Sequence, residues 1–124
     1  MDYSQLSDFE INKRVAIAQG FAPDICDIAK RGSSLVGVEW DEDTGCATKV
    51  LNYCNNPADA WPIISANRIS VEYDAERQCD VPAEWVTAYV IDDLKVHIVA
   101  HQPCDKALRS AMIVFLMMQD AKHA

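Results

Sequence analysis

An uninterrupted apolar run, Ala111 to Met118, constrains the fold of this chain more than any other feature of its sequence. Apolar residues continue around it at helical spacing, which predicts a helix that starts at Gln102-Pro103 and ends near Asp120. A helix that is apolar nearly all round is buried on more than one side. Eight residues are too few to cross a bilayer, which takes about 20. One sheet covers only one side, so we expect a second copy to cover the other, and hence a homo-oligomer.

Capping signals predict two further helices in the first half of the chain. Ser7 and Glu10 form a capping box ahead of the first helix. Asn56 is a typical N-cap, and Pro57 after it suits the first position of a central helix. Pro23-Asp24 offers the start of an additional short helix.

Alternating apolar and polar residues predict strands between these helices. Residues 34–40 and 46–53 read as one hairpin, 85–91 and 94–100 as a second, and 69–73 as a single strand. The element order is then α-β-β-α-β-β-β-α. We expect an α+β fold, an antiparallel sheet of about five strands with packed helices, similar to an α-β-α sandwich. A chain of 124 residues fits a single domain, residues 1–124.

Two predicted helix starts read alike. Asn56-Pro57-Ala58-Asp59 and Gln102-Pro103-Cys104-Asp105 both follow strands and both carry Pro-x-Asp. This likeness fits an internal duplication of a β-β-α unit. It fits equally well two unrelated helices that use the same common start chemistry, and both alternatives stay open.

The charge balance and the cysteines limit the classes of partner and the cellular compartments expected for this chain. The chain has 11 Lys+Arg against 19 Asp+Glu, a net charge of −8. Duplex nucleic acid and anionic membranes demand a basic footprint, so we expect neither as a main partner. The five cysteines are an odd number without a Cys-x-x-Cys, and the polar, acidic N-terminus does not resemble a signal peptide. We therefore expect free thiols and an intracellular protein.

No arrangement of residues predicts catalysis. The sequence lacks the glycine-rich, Walker A, His-Glu-x-x-His and Gly-x-Ser-x-Gly motifs. His97, His101 and Cys104 are spaced like metal ligands, but a fourth ligand is missing and we expect no metal. The pair His101 and Cys104 lacks an orienting third group, so a structural thiol is the better interpretation. We expect a protein that is not an enzyme and uses no cofactor.

Four residues are candidates for binding a small anion. Free N–H groups at a helix N-terminus attract anions, and an arginine adds bidentate recognition. Asn56 caps the central helix, Trp61 offers a stacking face in its first turns, and Arg68 lies at its far end. Arg109 falls in the second turn of the last predicted helix. The alternative is that Trp61 belongs to the core and that Arg109 is solvated or salt-bridged.

Three segments resemble the NinX family of tailed-phage accessory proteins: YSQLSDFEIN (3–12), NNPADAWPII (55–64) and RSAMIVFL (109–116). They cover both ends and the centre, about half of the chain, whereas 31–49 and 73–95 carry no resemblance. The resemblance implies a phage accessory protein that acts in the host cytoplasm. It does not imply a reaction.

A wider resemblance rests on two short motifs. Pro57-x-x-Ala60 after a strand and Arg109-x-Ala111-Met112 in the last helix are similar to phage proteins of the α-β-α sandwich type. These include sponges that sequester ADP-ribose signals of Thoeris-type defence. The resemblance implies a non-enzymatic anti-defence protein that sequesters a nucleotide-derived immune signal, of the cyclic ADP-ribose or cyclic oligonucleotide type. The alternative is a phage interaction module that binds and inhibits a host factor, for instance by masking a basic site.

Overall fold

The computed structural model describes residues 1–74 and 84–123. It has three α-helices and six strands in the described part of the chain, so the predicted α+β class is confirmed. In chain order, after a 3₁₀ turn at Tyr3–Gln5, the elements are α1 Asp8–Ala18, β1 Asp27–Ile28, β2 Val36–Trp40, β3 Ala47–Leu51, α2 Pro57–Asn67, β4 Ser70–Tyr73, β5 Trp85–Asp92, β6 Lys95–Pro103, a 3₁₀ turn Cys104–Lys106, and α3 Ala107–Lys122.

The strands form two antiparallel sheets of three strands each, in the orders β1-β2-β3 and β4-β5-β6. The expectation of one sheet of about five strands is therefore wrong in count and in arrangement. The short helix expected at Pro23-Asp24 is also wrong, because a turn closed by Ile25 N–H and Ala22 C=O leads into β1 instead. Since β1 has only two residues, Asp27 and Ile28, no alternation in the sequence could reveal it.

Helix α3 lies between the other layers. It packs against β4, β5 and β6 on one side and against α1 and α2 on the other, while α1 also contacts β2 of the first sheet. The central layer is thus the helix α3, with a sheet on one side and two helices on the other. The expected α-β-α sandwich would instead have a sheet as its central layer. Ala111, Met112 and Phe115 are buried within a single chain. The argument for a homo-oligomer from this apolar run is therefore wrong, and the oligomeric state stays a prediction.

The start of α3 differs from its predicted position. Strand β6 continues to Pro103, where cross-strand pairing with Trp85 extends the hairpin, and α3 begins only at Ala107. Its N-cap, Lys106, makes no side-chain capping hydrogen bond. Cross-strand pairing thus overrides the local Pro-x-Asp signal. Residues 102–105 do not start an α-helix, whereas residues 56–59 do. Each sheet is nevertheless followed by one helix, so duplication stays a hypothesis.

Local signals elsewhere are confirmed. Both hydrogen bonds of the Ser7–Glu10 capping box are present, and the Asn56 side chain accepts from the N–H of Ala58. A buried amide joins α1 to the segments around the first sheet. Asn12 donates to Ser34 C=O and to the Asn52 side chain, at 2.8 and 2.9 Å, and its oxygen accepts from a backbone N–H at 2.9 Å.

Candidate functional site

Arg109 lies in the first turn of α3 and points at the start of α1. Its guanidinium is 2.8 Å from the Asp8 carboxylate and donates to the Leu6 carbonyl at 2.7 Å. The Arg109 side chain is only 15% exposed. Its charge is therefore matched by a carboxylate of the same chain, which agrees with the salt-bridged alternative. The predicted second-turn position is corrected to the first turn, because α3 starts later than expected.

The starts of α2 and α3 meet at Asp8. Asn55, just ahead of α2, donates to one Asp8 oxygen at 3.1 Å, and Arg109 binds the other. Partial burial raises the pKa of Asp8, but the hydrogen bonds from Asn55 and Arg109 outweigh it and hold that pKa below its usual range. The two helix starts thus converge as the anion-site argument required. The anion between them is the chain's own Asp8.

The other predicted binding residues lie elsewhere. Trp61 is 64% exposed on α2, so it does not belong to the core. Arg68 ends α2 in the left-handed region, with φ 55°, and lines a cavity of about 420 Å³ with Tyr89, Asp92 and Met118. Met118 lies about 14 Å along α3 from Arg109. Arg68 and Arg109 therefore do not share a site.

The cavity beside Arg68 offers a mixture of chemical groups. Within the described residues, the Arg68 side chain has no hydrogen-bond or ion-pair partner. Asp92 adds a carboxylate, whereas the Tyr89 side chain lies on the outer face of the sheet and donates to Glu72. A guanidinium can bind a phosphate, and a carboxylate can accept from ribose hydroxyls or an exocyclic amine.

The histidine and cysteine candidates do not gather into a metal centre. His101 Nδ1 lies 3.5 Å from an Asp74 oxygen, and both side chains are exposed. Across residues 1–74 and 84–123 no group of three His, Cys, Asp or Glu side chains could hold a metal ion. Cys26, Cys46 and Cys54 form no disulfide within the described residues, and Cys79 lies outside them.

An exposed apolar surface on the second sheet was missed by the sequence reasoning. In β5, Val86, Ala88 and Val90 face α3, so the alternate residues face outward. Cross-strand pairing places residues of β6 on the same outer face. We call the side chains on this face that are 45–67% exposed the outer-face patch: Trp85, Ile91, Val96 and Ile98. The signal was available, since both alternate sets of this hairpin are largely apolar.

The tip of the same hairpin is strained and apolar. Asp93 and Leu94 have φ values of 46° and 68°, as a two-residue type I′ turn requires. Asn-Gly and Asp-Gly are the usual sequences there, and a leucine at positive φ costs about 1–2 kcal/mol. Leu94 is 99% exposed, so no contact with the other described residues offsets this strain.

Acidic residues surround the outer-face patch. Glu72 lies on the same face of β4 and accepts from the Tyr89 hydroxyl at 2.7 Å. Asp93 lies at the hairpin tip, whereas Asp92 and its cross-strand partner Lys95 follow the alternation of β5 onto the α3-facing side. The surface thus combines an apolar centre with a predominantly negative rim.

Comparison with known proteins gives one match. The family described as Bacteriophage P22, NinX matches residues 2–119. No curated protein and no solved structure gives a significant match. Among the described residues, no helix is long and apolar enough to cross a membrane. Because the match extends over nearly the whole length, this chain belongs to the NinX family of phage proteins.

Proposed function

We propose that this phage protein is a non-enzymatic interaction module that binds and inhibits a host protein in the host cytoplasm. The observation that carries the proposal is Leu94, a strained and fully exposed leucine at a hairpin tip. Backbone strain without an internal benefit is typical of functional positions. Leu94 would insert into an apolar pocket of the partner.

The outer-face patch would form the apolar part of such an interface. Together with Leu94 it presents five large apolar side chains that are 45–99% exposed on one hairpin, and clustered exposed apolar side chains mark interaction sites. A specific interface buries about 500 Å² or more per partner. The negative rim around the patch favours a host surface with an apolar centre and basic surroundings, since complementary charges steer association.

The test separates binding from folding. Leu94→Asn removes the anchor while providing a residue that tolerates positive φ, and Ile91→Lys disrupts the patch. Trp61→Ala is the matched control, because it removes an exposed aromatic on α2. Immobilised proteins are incubated with host lysate, and a captured protein is purified and titrated against each variant.

We expect the partner to bind wild type and Trp61→Ala alike and to bind Leu94→Asn about 10–100-fold more weakly, as for an interface hot spot. Association should also slow as salt increases. Equal binding by Leu94→Asn and Ile91→Lys would show that this surface is not the interface.

A second candidate function, sequestration of a nucleotide-derived immune signal, is favoured by the Arg68 cavity. Its volume of about 420 Å³ lies within the range of small-molecule sites, roughly 300–1,000 Å³. The Arg68 guanidinium, which has no partner among the described residues, and the Asp92 carboxylate match phosphate and ribose chemistry. Trp61, exposed on α2, does not line this cavity.

Thermal unfolding with cyclic ADP-ribose isomers and cyclic oligonucleotides distinguishes the two candidates. A ligand at 100 times its Kd adds about 2.7 kcal/mol of stability, which corresponds to a shift of several degrees. Arg68→Ala should abolish that shift, whereas Arg31→Ala, another exposed arginine, should retain it. If none of these nucleotides shifts the transition, sequestration is excluded and the interaction module remains.

A further inference from the structure

Strand β6 has an open edge. It pairs with β5 on one side and is the last strand of its sheet. Lys95 and Asp92 form the hydrogen-bonded pair that closes the two-residue turn. From Lys95 onward, the N–H and C=O groups of successive β6 residues therefore point alternately toward β5 and away from it. Val96 and Ile98 therefore direct both N–H and C=O away from β5. Within the described part of the chain, no backbone hydrogen bond joins these groups to another element.

This stretch lacks the devices that normally protect an edge. Proteins protect exposed edges with charged residues, prolines, bulges or a covering element. Lys95 stands before the stretch Val96–Val99, and the register shift and Pro103 come after it. The stretch itself holds no charged residue and no proline.

A cavity of about 290 Å³ lies beside the edge, between β6, α3 and the 3₁₀ turn near the N-terminus. Asp2 and Ser4 line one side of this cavity, and Ile98, Val99 and Ile113 line another. The turn borders this cavity, and within the described residues no backbone hydrogen bond joins the turn to the edge.

We propose that the edge of β6 binds the same edge of a second copy of this chain. An antiparallel two-fold arrangement places Val96 of each copy opposite Ile98 of the other and satisfies four N–H and four C=O groups. The two hairpin tips, with Asp92 and Asp93, then lie at opposite ends of the paired strands. The segment in contact carries no acidic residue. The net charge of −8 therefore opposes this arrangement less than it would oppose an interface that contains acidic residues.

The pairing leaves the outer face open. The β4-β5-β6 sheet of one copy and that of the other become one six-stranded sheet. The Val96 and Ile98 side chains of the two copies lie side by side on it. The outer-face patch is thereby doubled and continuous across the two-fold axis. This inference concerns the edge and stands independently of the proposed host partner.

The test is the mass in solution by light scattering between about 5 and 200 μM. We expect twice the 13.8 kDa of one chain for wild type at the upper concentrations. Val96→Pro removes only an outward N–H, which edge strands tolerate, and Ile98→Lys adds a protective charge. Both variants should stay at 13.8 kDa, whereas Val96→Thr keeps the N–H and should dimerise like wild type.

Circular dichroism and thermal unfolding establish that each variant is folded. A wild-type mass of one chain at 200 μM would overturn the inference. So would dimers that persist in both folded Val96→Pro and Ile98→Lys. Loss of host binding in Leu94→Asn with an unchanged dimer mass bears on the proposed function only, so the two tests fail separately.

Discussion

Replacing Arg109 by alanine should destabilise the fold substantially. The guanidinium forms an ion pair with Asp8 at 2.8 Å and donates to the Leu6 carbonyl at 2.7 Å. The pair is mostly shielded, since the two side chains are only 15% and 23% exposed. Hydrogen bonds to charged groups contribute about 1.5–3 kcal/mol, so we expect a loss of about 2–3 kcal/mol in the free energy of unfolding.

Urea unfolding followed by tryptophan fluorescence measures this loss. Arg31→Ala is the matched control, because Arg31 is exposed and has no ion-pair partner within the described residues. A double-mutant cycle with Asp8→Ala isolates the coupling between the two side chains. An Arg109→Ala protein within about 0.5 kcal/mol of wild type would refute the reasoning, because surface substitutions usually fall in that range.

The pH dependence provides an independent check on the same pair. The pKa of Asp8 is lowered in the folded chain, so the unfolded chain binds its proton more readily. The contribution of Asp8 is therefore complete above its unfolded pKa of about 3.9 and is lost as the pH falls toward the lower folded value. Asp8→Asn should flatten this acid limb of the stability curve. An unchanged acid limb would show that Asp8 is not stabilised as a carboxylate.

Three further predictions concern other positions. Leu94→Asn should raise the free energy of unfolding by about 0.5–1 kcal/mol in urea titration, because asparagine tolerates positive φ and Leu94 makes no buried contact. Asn12→Ala should lower it by about 2–4 kcal/mol, since the Ser34 carbonyl and the Cys54 N–H lose their partner; a smaller loss would mean that water replaces it. Burial raises the pKa of Cys54 to about 12, so maleimide at pH 7 should label exposed Cys46 and reach Cys54 only on unfolding.

The elements that the sequence predicted correctly are those with local causes. The capping box of Ser7 and the N-cap of Asn56 depend on groups within three residues, so they can be read along the chain. The start of α3 was misplaced because Pro103 pairs with Trp85, a partner far away in sequence. The division into two sheets depends in the same way on which strands meet in space.

The candidate site was less predictable for the same physical reason. Arg109 and Asp8 are separated by 101 positions, so no local pattern shows that the arginine already has its anion. The convergence of the α2 and α3 starts was foreseen, but not the carboxylate between them. The outer-face patch could have been predicted, because residues facing solvent in a half-buried strand are normally polar. In this hairpin Ile91, Val96 and Ile98 are not.

The position of α3 has a consequence for how the chain unfolds. Sheet β4-β5-β6 packs on one side of α3, and α1, which carries the first sheet, packs on the other. Neither the β4-β5-β6 sheet nor α1 can separate from α3 without exposing the apolar run Ala111–Met118 to water. The two sheets therefore belong to a single cooperative unit, and the amides of α3 should exchange with deuterium only through global opening. The outward N–H groups of Val96 and Ile98, by contrast, have no backbone partner among the described residues, so they should exchange long before the core wherever this edge is not paired with a second copy.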